Sequence, residues 1–135
     1  MMDMQNPEIC QVFDNFQPQT KLVLLTVRQL IFEIAGSSDK IGEIEECLKW
    51  GECSYVSHSP KSGTTLRLSQ LLSSESEYGL FVNCQTSLIE EFRVAYPDLK
   101  YDKNRGVLFD SLEPIQTEII KPFIYLTLTY HSRKI

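Results

Sequence analysis

The chain has 135 residues, a formal net charge of −5, 42% hydrophobic and 23% charged residues. That length is one domain with enough chain for an unstapled core, and the composition excludes disordered, collagenous and coiled-coil classes. No apolar run reaches the ~18 residues of a membrane span. The acidic balance argues against a general nucleic-acid binder, which presents a basic face, and fits a cytoplasmic protein kept soluble by self-repulsion. Met1–Gln5 has neither a basic nor an apolar signal-peptide region, so Cys10, Cys47, Cys53 and Cys84 are expected as reduced thiols rather than a disulfide framework. No Cys-x-x-Cys pair occurs.

In chain order, Asn6-Pro7 opens a helix carrying Ile9, Val12, Phe13 and Phe16. Gln17-Pro18-Gln19 breaks it. Thr20 is the expected cap of a second helix, with Leu24, Val27, Leu30, Ile31 and Ile34, stopped at Gly36. Lys40 to Lys49 reads as a short third helix with Ile41, Ile44 and Leu48 on one side. The period then changes. Cys53–Val56, Thr64–Ser69 and Tyr78–Asn83 read as strands of an antiparallel meander, separated by turn chemistry at His58–Gly63 and a polar loop at Ser73–Glu77.

Ser87 and Glu90 form a capping box for a helix through Ile89, Phe92 and Val94. Leu99–Tyr101, a turn over Asp102–Gly106, and Val107–Phe109 read as strand, turn, strand. Asp110 or Ser111 is the expected cap of a last helix through Ile115, Ile119 and Ile120. Phe123–Tyr130 is open: its alternation suits a strand, whereas continuation from Pro122 as a kinked helix also works. The expected fold is α+β, an antiparallel sheet of about five strands packed by N- and C-terminal helices, with residues 1–135 as one domain.

Several strings share an order and spacing with a known family. They are Leu48-Lys49-Trp50-Gly51-Glu52, Ser62-Gly63-Thr64-Thr65-Leu66-Arg67, Gly79 to Thr86, Glu91-Phe92-Arg93, Asn104-Arg105-Gly106 within Tyr101–Phe109, and Leu128-Thr129-Tyr130-His131. From about Leu25 to His131 the chain resembles the YdhG-like family, a bacterial domain of unknown function. Cys53 departs from it, since many members carry proline there. The resemblance implies a helix over Phe123–Tyr130 and a sandwich similar to frataxin. It brings no established reaction, because fold does not fix function.

Three sets of residues could carry chemistry. The first follows from the frataxin-like fold, whose proteins hold iron loosely on an acidic helix face. By that resemblance Glu43 and Glu46, one turn apart, would offer hard oxygen ligands to weakly bound iron. The competing reading is a solvated face balanced by Lys40 and Lys49. The second is the polar set that the family strings supply: Lys49, Trp50, Glu52, Arg67, Asn83, Arg105 and His131. Arg67 lies opposite Leu66 and Leu68 on its strand, Arg105 sits in a turn, and Asn83 precedes a helix start. Brought together they would form an anion pocket, with Trp50 and Tyr55 as an aromatic wall. The competing reading has Arg67 and Arg105 paired with Glu52 or Asp110, and Trp50 as a core aromatic. The third is Cys84 with His131 as a nucleophile and base. A small anionic ligand or a partner protein, bound without catalysis, is the leading functional expectation. Frataxin-like iron handling is the alternative, and a Cys/His-dependent enzyme comes third.

Overall fold

In the computed structural model, which describes residues 6–133, the elements run α1 (Pro7–Asp14), α2 (Pro18–Gly36), β1 (Glu43–Lys49), β2 (Glu52–His58), β3 (Leu66–Gln70), β4 (Glu77–Phe81), α3 (Leu88–Ala95), β5 (Lys100–Asp102), β6 (Gly106–Asp110), α4 (Thr117–Leu128) and α5 (Tyr130–Arg133). Met1–Gln5, read above as lacking a signal-peptide pattern, lies outside the described residues. The fold is α+β. Its six strands form one sheet in the order β1-β2-β3-β4-β6-β5, each pair antiparallel.

The expected helix over Lys40–Lys49 is instead β1, paired along its whole length with β2. The reason is Glu46. It sits opposite Tyr55 in the register and points inward with Ile44 and Leu48. A carboxylate in the middle of the inward row hides the period of two. Helical spacing of Ile41, Ile44 and Leu48 then looks like the better pattern. This segment is the sixth strand, beyond the five expected.

Side chains alternate across the sheet, so the register sorts them by face. One face carries Cys53, Tyr55, Leu66, Leu68, Tyr78, Leu80, Val107 and Phe109. These form one core with Leu24, Val27 and Ile31 of α2, Phe92 of α3, and Ile120, Phe123 and Ile124 of α4. Phe32 of α2 meets Tyr55 edge-on at 6.0 Å, and Phe92 meets Phe123 at 5.0 Å. The opposite face carries Glu52, Arg67, Ser69, Phe81 and Leu108. Phe81 and Leu108 are buried yet lie outside that core cluster. The helices therefore cover one face and leave the other to build something else.

The helix boundaries follow local chemistry, with three corrections. Asn6 caps α1 as expected, its Oδ1 accepting from the N–H of Glu8 and Ile9. Helix α2 begins earlier than Thr20, with Pro18 in its first turn. Thr20 is buried inside it and donates to Ser111 Oγ at 3.0 Å. Ser87 bonds the carboxylate of Glu91 rather than Glu90. Neither Asp110 nor Ser111 caps α4, which starts at Thr117.

Phe123–Leu128 is helical. Ile120, Phe123, Ile124, Thr127 and Leu128 are the buried positions, a spacing of three and four. The Thr127 hydroxyl donates to Phe123 O at 2.8 Å, so its burial leaves no orphan. Pro122 is accommodated inside the helix.

Candidate functional site

The β1–β2 hairpin closes on Trp50 and Gly51, between the paired residues Lys49 and Glu52. Both central residues have positive φ, 56° and 76°. A two-residue turn of this kind matches the twist of the strands and favours Asn-Gly. Here its first position holds a tryptophan that is 93% exposed. Trp50 is therefore not a core aromatic.

Behind the hairpin, the helix-free face of the sheet forms two adjoining cavities. One, of about 580 Å3, is lined by Trp50, Leu71, Leu72 and Phe81 together with Glu52, Arg67, Asp102 and Arg105. The other, of about 350 Å3, is lined by Lys49, Thr64, Thr65, Asn83 and Cys84. Trp50, Arg67 and Arg105 line both. The first volume falls in the range of small-molecule sites.

The floor is Phe81. A Cβ on Gly79 would lie 2.6 Å from its ring, and one on Gly106 would lie 2.5 Å from it. The ring therefore lies flat over two glycines of the neighbouring positions, and is only 8% exposed. Arg67 stands directly opposite Phe81 in the register.

Each arginine of the site holds one carboxylate by one nitrogen. Arg67 Nη1 donates to Glu52 Oε1 at 3.0 Å, and Arg105 Nε donates to Asp102 Oδ2 at 2.9 Å. Among the described residues, Arg105's two terminal nitrogens and Arg67's Nη2 donate to no protein acceptor, and Lys49 has no ion-pair partner. Arg105's fork, free at its tip, fits a carboxylate or phosphate in two-point fashion, and Arg67 adds Nη2. The lining carries three cations, Lys49, Arg67 and Arg105, against two carboxylates, Glu52 and Asp102. The cleft is thus cationic within an acidic chain. The competing pairing with Asp110 does not occur: Asp110 Oδ1 accepts from Leu112 N–H.

Six residues expected at one site, Lys49, Trp50, Glu52, Arg67, Asn83 and Arg105, do line these cavities. Asn83 contributes less than expected, because its Oδ1 is occupied by Gln85 N–H at 2.8 Å. Tyr55 and His131 are placed elsewhere. Tyr55 is fully buried on the helix-covered face, and its hydroxyl donates to Glu46 at 2.7 Å. Burial pushes the Tyr55 phenol well above its ordinary value. His131 is exposed on α5, its N–H held by Ser62 O at 2.9 Å, and it lines neither cavity. Cys84 and His131 make no hydrogen bond with each other, so no nucleophile–base pair is formed. Phe81, Leu71 and Leu72 were not read as site residues. The signal was there: Gly79 and Phe81 alternate with Leu80, which leaves Phe81 on the face away from the core.

The Glu43/Glu46 pair is also corrected. On a strand, residues three apart face opposite sides. Glu43 is exposed, whereas Glu46 faces the helices and accepts from Arg28 Nε and Nη2 at 2.5 and 2.9 Å. Arg28 is 2% exposed. Its hydrogen bonds to Glu46 hold its pKa above the ordinary value, against its burial. Among the described residues no group of three or more His, Cys, Asp or Glu is placed to hold a metal.

No protein-family model matches the chain, and neither a curated protein nor a solved structure matches it. No helix among the described residues is long and apolar enough to cross a membrane.

Proposed function

We propose that this chain is a binding protein for a small oxyanion, carboxylate or phosphate, seated on the helix-free face of its sheet between Arg67 and Arg105. The observation that carries this reading is the three terminal guanidinium nitrogens, two on Arg105 and Nη2 on Arg67, that bond no protein acceptor while both arginines line the two cavities. Arg105 is positioned by Asp102 on its inner nitrogen, which leaves both outer nitrogens to donate, and Arg67 is positioned by Glu52 on Nη1, which leaves Nη2. Lys49 adds a third cation on the same side. No reaction is assigned. Membership of the YdhG-like family and a frataxin-like relationship belong to the same proposal, resting on the strings from Leu48 to His131. So does a cytoplasmic location, supported by the absence of a disulfide among the described cysteines.

Cys84 supplies a reporter, since it is exposed and lines the second cavity. Inorganic phosphate and citrate, compared with chloride at matched ionic strength, should raise the thermal midpoint and slow alkylation of Cys84. Saturation at about 100 times Kd stabilises a native state by about 2.7 kcal/mol. Arg67→Ala and Arg105→Ala should each lose both effects. Equal response of wild type and both variants would sink the proposal.

A further inference from the structure

Trp50 is unexplained by folding. Positive φ strains a bulky L-residue, and a free indole returns nothing to the core. Asn at this position would suit the turn better. The strain places the indole on the rim of both cavities. Across the larger cavity stands Leu72, a second fully exposed apolar side chain. The floor between them is the face of Phe81. The apolar surfaces thus gather in the larger cavity. The smaller cavity carries Lys49, Thr64, Thr65 and Asn83. Arg67 and Arg105 stand at the boundary. The carboxylates Glu52 and Asp102 also line the larger cavity, so its apolar part is the surface of Trp50, Leu72 and Phe81, with both arginines shared between the cavities.

We infer that the ligand is an amphipathic organic anion, a phosphate or carboxylate borne on a flat aromatic body. The anionic group meets Arg67 and Arg105, and the ring lies against Trp50 above Phe81, towards Leu72. This rests on the anion reading above and adds the chemistry of the ligand's other end. Aromatic stacking supplies the preference for a flat body over an aliphatic one of equal charge.

Two phosphate monoesters test it, phenyl phosphate and ethyl phosphate, which share a charge and differ in the body. Titration calorimetry should show wild type binding phenyl phosphate about tenfold tighter than ethyl phosphate. Trp50→Asn should erase that preference, lowering phenyl phosphate affinity about tenfold. It should also raise the thermal midpoint, because it relaxes the turn. A variant that folds better and discriminates worse separates binding from stability. Leu72→Ala, on a side chain that packs on nothing, should reduce the preference about threefold. Equal binding of the two esters by wild type, or an undiminished preference in Trp50→Asn, overturns the inference and leaves the anion site standing. If neither ester nor inorganic phosphate binds, the anion reading falls and takes the inference with it.

Discussion

The two faces of the sheet use the same pair of residue types to opposite ends. Under the helices, Arg28 gives two nitrogens to Glu46, and Tyr55 donates to the same carboxylate. Phe32 lies 5.1 Å beneath the guanidinium. That cluster is closed: the Arg28 and Glu46 side chains are only 3% and 12% exposed, and their charges satisfy each other. On the open face, Arg67 and Arg105 each give one nitrogen to a carboxylate and keep donors over, Nη2 on Arg67 and both terminal nitrogens on Arg105. The first arrangement specifies how α2 seats on β1 and β2. The second leaves bonding capacity for a molecule from outside. An arginine–carboxylate pair is therefore not by itself evidence of either role. What decides is how many of the guanidinium's donors remain.

The comparison can be broken most severely at Glu46. Glu46→Ala leaves a buried guanidinium without its counter-charge, and should cost about 3–5 kcal/mol in urea denaturation. The triple substitution Arg28→Met/Glu46→Leu/Tyr55→Phe, which also removes the hydroxyl that Glu46 accepts from, should recover most of that loss. If it does not, the pair contributes more than its burial costs. A smaller effect lies beside the cluster. Burial pushes the Cys53 thiol up to about 12, against about 8.5 in an unfolded chain. Between those values the unfolded chain sheds the proton and the native one keeps it. The stability is therefore fully present below about pH 8.5 and is lost as pH rises towards 12, by up to about 1.4 kcal/mol per unit. Cys53→Ala should flatten the slope of unfolding free energy between pH 9 and 11, approximate bounds set by those pKa values. An unchanged slope would assign the alkaline loss to other groups. The smallest effect belongs to the open face. Arg105→Ala should change stability by less than about 1 kcal/mol, as expected for an exposed pair, while removing anion-dependent stabilisation. A loss of several kcal/mol would make Arg105 a structural strut like Arg28.

Sequence reading located the open face better than the covered one. Arg67 between Leu66 and Leu68 announces its face by simple alternation, and Asn104-Arg105-Gly106 announces a turn. Those signals are local, so they survive without a structure. Three of the failures are non-local. Glu46 reads as a solvated helix residue until Arg28, eighteen positions earlier, is known to reach it. Tyr55 reads as a candidate wall for the site because its strand position does not say which sheet face the helices take. Thr20 and Ser111 each read as caps, and instead bond one another from 91 positions apart. The helix at Phe123–Leu128 was ambiguous because Leu126, Leu128 and Tyr130 alternate. Buried threonines, satisfied by their own helix, occupy positions that look polar in a linear pattern. Trp50 lines both cavities, but its exposure is not legible in the sequence. That depends on the turn type, which the unusual Trp-Gly pair obscures.

Phe81 lies low because two neighbours have no side chain. Neither Gly79 nor Gly106 lines a cavity, yet both set the depth of the larger one. A carbon added at either position displaces the Phe81 ring, and at Gly79 the Leu108 side chain as well. The cleft can thus be made shallower, in small steps, from residues that a bound molecule never meets. Its shape is governed from underneath, much as the level of a hinged plate is governed by the shims below it, and a search for selectivity confined to the lining would overlook the two positions with the most leverage.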